Sequence, residues 1–163
     1  MTTILFIGRF QPLHNGHLSV IRDIAKHAAL KIVIGSAQYK NTADNPLSGE
    51  ERKEMILSVL KAENIVADIH LITDVHDNKQ WVNHVLKQTG HIDSVCSGNK
   101  LVIQLFKEKG IPVTVIKEIQ PLKATKIREA IRQDKSIDSQ VPPVVLQYLK
   151  KIRIAERLKS VQR

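Results

Sequence analysis

Two imidazoles three residues apart, His14 and His17, stand with Arg9 and two glycines in one short stretch, Gly8-Arg9-Phe10-Gln11-Pro12-Leu13-His14-Asn15-Gly16-His17. Such a set suits a pocket that handles phosphates. A guanidinium forks two hydrogen bonds to a phosphate. An imidazole donates from a ring nitrogen as charge builds on the oxygen, and Gly8 lets the backbone come close to a ligand. Gly16 and His17 fall at the expected start of a helix, where unpaired N–H groups and the helix dipole favour an anion. Metal chemistry is served less well, because no Cys or carboxylate stands at a familiar ligand spacing beside the histidines. Neither G-x-G-x-x-G nor G-x-x-x-x-G-K-[ST] is present, so this is no standard dinucleotide fingerprint and no P-loop.

The elements that must hold these residues are legible as alternating apolar runs and helix-period segments. Residues 3–7, 30–34, 69–72, 92–96 and 112–116 read as short buried strands. Helices are expected over 16–28, behind Ser48, over 79–89, 100–109 and 125–132, and over 142–159 with prolines at its start. Ser48 with Glu51 forms the pattern of a capping box, Gly110 stands where the 100–109 helix must stop, and Thr125 opens the 125–132 helix. Strands separated by helices point to βαβ units, hence an α/β fold: a Rossmann-like, doubly wound parallel sheet of about five strands with helices on both faces. Ligands of such sheets bind outside the carboxyl ends of the strands, where Gly8–His17 lies. The polar segment 38–47, with Asn45-Pro46, is expected to be mobile and to close over a ligand.

Composition narrows the function classes. With 163 residues, 42% hydrophobic and 25% charged, the chain suits one domain, 1–163, with a real core. No apolar run approaches the roughly 18–20 residues of a membrane helix, and a secretory leader is not evident. A lone cysteine, Cys96, cannot pair internally, which fits a reducing, cytoplasmic setting. Of the net charge of +9, residues 117–163 hold +7, twelve Lys/Arg against five Asp/Glu. That surplus attracts polyanions, nucleic acid or small phosphorylated substrates, or is simply a solvated surface. Aromatics are only 4% and no RNA-binding aromatic motif is visible, which speaks against a nucleic-acid-binding module.

The pattern G-x-F-x-P-x-H-x-G-H over Gly8–His17 resembles the signature of adenylyl- and cytidylyltransferases with a Rossmann-like core. Lys123-Ala124-Thr125-Lys126-Ile127-Arg128 resembles their second signature, I-S-x-T-x-I-R, with Lys123 where a Ser is usual. Gly35-Ser36-Ala37-Gln38, Leu47 to Met55, Trp81, and Cys96 to Val102 with Leu105 to Gly110 follow in order and spacing. Together they are similar to the archaeal-type nicotinamide-nucleotide adenylyltransferases over nearly the whole chain.

The resemblance implies adenylyl transfer from ATP to nicotinamide mononucleotide, giving NAD and pyrophosphate. It implies Gly8, Arg9, Phe10, His14, His17, Ser97, Gly98, Asn99, Thr125 and Arg128 around ATP, with Arg9, His14, His17 and Arg128 catalytic. Thr125 would cap a helix facing the β- and γ-phosphates, and Arg128 would neutralise departing pyrophosphate. Arg52 would bind the mononucleotide phosphate, Trp81 would stack on the nicotinamide ring, and Asn78 would hold that end. No protein metal site is expected, since Mg²⁺ or another divalent ion would come mainly on the ATP phosphates. The family also implies a homo-oligomer, a hexamer in form. Other readings of the same residues are an ordinary core Trp at position 81, a plain turn and helix cap at Ser97–Asn99, a solvent-exposed ion pair at Arg52, and a sister enzyme with another acceptor such as phosphopantetheine, FMN or a polyol phosphate.

Overall fold

The computed structural model describes residues 1–114 and 122–161. Five parallel strands, β1 (Thr3–Gly8), β2 (Ala29–Ile34), β3 (Ala67–Leu71), β4 (Ser94–Ser97) and β5 (Val113–Thr114), form one sheet in the order β3-β2-β1-β4-β5. Helices α1 (Asn15–Ala25), α2 (Gly49–Glu63), α3 (Asn78–Thr89) and α4 (Lys100–Glu108) make the crossovers, and α5 (Ala124–Arg132), α6 (Pro143–Lys151) and α7 (Ile154–Ser160) follow. The chain winds outward from β1 through β2 to β3, then returns to the other side of β1 with β4. The order therefore reverses between β1 and β4, where Ile4 pairs with Ser94 and Ile7 with Ser97.

Side-chain alternation along the strands separates two cores. Ile4 and Phe6 of β1 point with Ile32 and Ile34 of β2 into a layer closed by α1, α2, α5, α6 and α7, through residues such as Ile21, Met55, Ile127, Leu149 and Leu158. Leu5 and Ile7 point the other way with Val33 and Val95, against Val82 and Val85 of α3 and Phe106 of α4. A sheet buried on both faces needs such continuous apolar strands. The doubly wound arrangement expected from the sequence is the one observed. No described helix is long and apolar enough to cross a membrane.

Two expectations on the elements are corrected. The 142–159 helix is two helices, because Arg153 takes a left-handed conformation (φ 58°, ψ 48°) between α6 and α7. No glycine or mid-helix proline announces that break. Thr125 does not cap α5: Lys123 is the N-cap residue, with no side-chain cap bond, and Thr125 lies inside the first turn. The end of segment 38–47 is bonded to the loop after β1 and to α7. Gln11 Nε2 donates to Leu47 O (2.8 Å), Leu47 N donates to Gln11 Oε1 (3.0 Å), and Arg9 and Arg157 donate to Asp44 O and Pro46 O. The last strand is seen over two residues, and positions 115 and 116 of the expected strand lie outside the described residues. The Ser48 capping box and the stop at Gly110 (φ 75°) are as expected.

Candidate active site

The loop leaving β1 and the helix that follows are organised by the two histidines themselves. His14 is the N-cap residue of α1, and its Nδ1 accepts from Gly16 N (3.1 Å) and His17 N (3.3 Å). His17, three residues on, returns the bond: its Nδ1 accepts from His14 N at 3.1 Å. This is a capping box built from imidazoles rather than Ser and Glu. It satisfies helix N–H groups that would otherwise be orphans. A neutral imidazole has one donor and one acceptor nitrogen, so the cap fixes both rings as Nε2–H tautomers. The rings stack with centroids 3.7 Å apart and 19° between planes.

This geometry alters the expected anion site. The first amides of α1 are not free, since Asn15 N donates to Gln140 O and Gly16 and His17 donate to His14. The helix presents imidazole Nε2–H groups in place of its backbone. Leu101 and Val102 at the start of α4 are likewise taken by Asn99 Oδ1. At α5, by contrast, the cap side chain makes no such bond.

Two glycines make room for the side chains packed against them. A Cβ on Gly16 would stand 2.9 Å from His14 Cε1, and one on Gly8 would meet the Phe10 ring at 3.0 Å. Phe10 itself has φ of 52° and is 1% exposed. Its ring lies beneath the site, 4.8 Å from the His17 ring.

A cleft of about 670 Å³ opens at the carboxyl ends of β1 and β4, at the reversal in strand order. All ten residues expected around ATP line it: Gly8, Arg9, Phe10, His14, His17, Ser97, Gly98, Asn99, Thr125 and Arg128, joined by Lys123. Beside it is a second cavity of about 350 Å³ lined by Asn78, Trp81, Ser36, Asp74 and Asp77. The two share Ile7, Gly8, Arg9, Ser97 and Asn99 as walls. Trp81 packs edge-on to Phe106 at 5.9 Å, as a core residue does, and also lines the smaller cavity. Ser97 and Asn99 do act as a turn and cap, with Asn99 N donating to Ser97 Oγ at 3.1 Å, yet both line the cleft. A Cβ at Gly98 would meet nothing within 4 Å, so the space there is open.

The cations differ in freedom. Arg9 is exposed, with one 3.3 Å bond to Asp44 O. Arg128 is 7% exposed; Nη1 donates to Gln11 O (2.9 Å), Nη2 donates to Thr125 Oγ1 (3.4 Å), and Asp44 Oδ1 stands 3.6 Å away. Burial pulls Arg128 below its ordinary pKa, Asp44 opposes this, and Arg9 and Arg132 add to the lowering. A guanidinium stays charged through such shifts.

Arg52 is the one implied ligand that the structure puts elsewhere. It is wholly buried and lines neither cavity. Nε donates to Ser48 O (3.1 Å), Nη1 to Arg9 O (3.1 Å) and Gly35 O (2.8 Å), and Nη2 to Ser36 O (3.1 Å). Four of its five donors are spent on main-chain carbonyls. It is not an exposed ion pair, and most of the donors a phosphate ligand would use are turned to the main chain. Burial, then Arg9, lower its pKa to about 10, against the opposing Glu51. Sequence reasoning also missed Gln11, buried at 1% and bonded to both main-chain groups of Leu47. A glutamine inside a histidine motif gives no hint of a partner so far along the chain.

The reversed parallel sheet, with imidazole and guanidinium donors gathered at the reversal, defines an α/β enzyme that handles nucleotides. The sequence matches the cytidylyltransferase-like family over residues 5–130. It is 37% identical to a nicotinamide-nucleotide adenylyltransferase of Thermococcus sibiricus, over 96% of this chain and 88% of that one. It is 39% identical to the same-named protein of Methanospirillum hungatei, over 99% and 94%. Among solved structures, a bifunctional NMN adenylyltransferase/ADP ribose pyrophosphatase from Francisella tularensis, complexed with AMP and a manganese ion, superposes with a TM-score of 0.75 at 24% identity. That match covers 96% of this chain and 51% of the Francisella protein, so the chain spans about half of it, and the likeness speaks for the fold. The chain belongs to the cytidylyltransferase-like family, among its nicotinamide-nucleotide adenylyltransferases.

Two predictions come from this geometry. Burial lowers His14 to about 4, and burial together with His14 holds His17 well below the ordinary histidine range. Unfolded histidines protonate near pH 6.5, so the unfolded chain takes up protons that the folded chain refuses. Stability therefore falls as pH drops from about 6.5 towards 4. His14→Asn keeps a capping acceptor without the titration, and its thermal midpoint should fall less steeply across that window; an identical slope would contradict the buried neutral imidazole. Arg52→Leu removes the buried donor shared by four main-chain carbonyls and should lower the unfolding free energy by about 2–4 kcal/mol in urea titrations. An unchanged midpoint would restore Arg52 to a ligand's role.

Proposed function

We propose that the chain joins ATP and nicotinamide mononucleotide at the junction of the two cavities, releasing NAD and pyrophosphate. The observation that carries this reading is the shared wall. A cleft rich in donors and a smaller, tryptophan-lined cavity meet at Gly8, Arg9, Ser97 and Asn99. ATP occupies the larger cleft with its adenosine towards Ser97, Gly98 and Asn99. The nicotinamide ring lies in the smaller one on Trp81, beside Asn78. A flat indole face suits a cationic pyridinium.

The phosphate of the mononucleotide attacks the α-phosphorus in line. The new O–P bond forms as the bond from the α-phosphorus to the bridging oxygen breaks, and pyrophosphate leaves with that electron pair. The nucleophile is already an anion, so no side chain need take a proton from it. What the protein supplies is position and neutralisation of charge. Arg9, at the junction, takes the mononucleotide phosphate, the task once expected of Arg52. The Nε2–H groups of His14 and His17 donate to the triphosphate. Arg128, Lys123 and the start of α5 receive the leaving pyrophosphate. A divalent ion, Mg²⁺ for preference, enters as part of the ATP complex. The reaction is assigned to the cytoplasm and to a homo-oligomer, a hexamer by the family resemblance, which sedimentation of the purified protein would measure.

Formation of NAD from ATP, Mg²⁺ and nicotinamide mononucleotide tests the reading directly. Turnover with FMN, phosphopantetheine or a polyol phosphate in its place, and none with the mononucleotide, would replace it with a sister enzyme. His17→Ala should keep the fold, judged by circular dichroism, and lose about 10²-fold or more in kcat. Trp81→Ala should raise the KM for the mononucleotide about tenfold with a smaller effect on kcat. An unchanged KM in that variant would remove the ring from the tryptophan.

A further inference from the structure

Arg157 lies on α7 and lines neither cavity. Its guanidinium is nevertheless bonded to the turn that holds the phosphate loop. Nη1 donates to Glu51 Oε2 at 2.7 Å and to Pro46 O at 3.0 Å, while Nη2 donates to Glu51 Oε1 at 2.9 Å. The pair is a two-pronged fork, the arrangement in which arginine fixes both distance and angle. It is also shielded, the side chains being 23% and 24% exposed. Burial alone would raise the Glu51 pKa, but the bonds from Arg157 and from Ser48 outweigh it and hold the carboxyl below its ordinary range.

From that fork an unbroken line of bonds leads into the cleft. Glu51 Oε2 accepts from Ser48 N at 2.8 Å. Leu47, the residue before Ser48, donates its N–H to Gln11 Oε1 and accepts at its C=O from Gln11 Nε2. The carbonyl of Gln11 in turn receives Nη1 of Arg128 at 2.9 Å. Gln11 and Leu47 are 1% and 0% exposed, so water cannot replace these links. Asp44, whose carboxylate faces Arg128, stands two residues before Pro46.

We propose that Arg157 is a positioning residue for the transfer reaction: by clamping Glu51 and Pro46 it sets Gln11, and through Gln11 the guanidinium of Arg128 that meets the departing pyrophosphate. The proposal rests on the functional reading above. Arg128 is asked to neutralise charge that grows only as the bond breaks. A small displacement of it therefore costs rate more than ground-state binding. A residue that merely anchored α7 would alter stability and leave the rate of the folded enzyme unchanged.

The test compares Arg157→Ala and Arg157→Lys with the parent, each at a temperature well below its own unfolding midpoint. Arg157→Ala should lower kcat about tenfold with both KM values within about threefold, and Arg157→Lys, which keeps the charge and loses the fork, should fall between. In an Arg128→Lys background the Arg157→Ala penalty should shrink to less than about threefold, because the two changes act on one group. If Arg157→Ala does not fold, Arg157→Lys alone and in that background supplies the same comparison. Turnover within twofold of the parent, a change confined to KM, or a penalty undiminished by Arg128→Lys would each overturn the positioning role. A parent that makes no NAD overturns the functional reading and this proposal with it, whereas an active parent beside an unaffected variant overturns the positioning role alone.

Discussion

The loop that leaves β1 is buried over residues 10–14, and its main-chain groups are out of reach of water. Buried main-chain groups must be paired, and in this protein side chains do it. Arg52 collects the carbonyls of Arg9, Gly35, Ser36 and Ser48. Gln11 takes both main-chain groups of Leu47, and Arg128 takes the carbonyl of Gln11. The polar interior behind the cleft is therefore a fitted framework of two buried guanidiniums and one amide. Its rigidity leaves the other faces of the same loops turned to the ligand.

That framework divides the arginines by task. Arg52 is buried and nearly saturated, so its charge serves architecture. Arg128 is buried yet lines the cleft, one hand on the backbone. Arg9 is exposed and nearly unbound. Sequence similarity weights the three alike, since a phosphate ligand and a carbonyl clamp ask for the same side chain. Only burial and donor count separate them. The histidines show the same economy: one ring nitrogen of each ends the helix, and the other is left for chemistry. Two charged rings at 3.7 Å would repel, and burial adds to that, so both are held neutral.

Much of this was legible in the chain. Short apolar runs and period-3.6 patterns gave the strand and helix succession, and the doubly wound sheet follows from them. The ten residues expected around ATP do line one cleft, because eight of them, from Gly8 to His17 and Ser97 to Asn99, sit at or soon after the ends of β1 and β4, which adjoin at the reversal. What escaped depends on contacts between distant positions. The bonds of Arg52 to Arg9, Gly35 and Ser36, the Gln11–Leu47 pair and the reach of Arg157 to Glu51 join residues 16 to 106 positions apart and leave no local spacing to read. The cap at Lys123 and the break at Arg153 failed for another reason: propensity favours Thr as a cap and glycine at a left-handed position, and packing overrode both.

Cys96 sits on β4 one residue before Ser97, 2% exposed, with its thiol pushed up to about 12 by burial and then by Asp23. A protonated, enclosed sulfur is a poor nucleophile. Alkylating reagents and peroxide thus find no purchase on the strand that borders the nucleotide cleft. Since it is the chain's one cysteine, a thiol placed anywhere on the surface would stand alone as a reactive handle for spectroscopic labels, without first removing the native one.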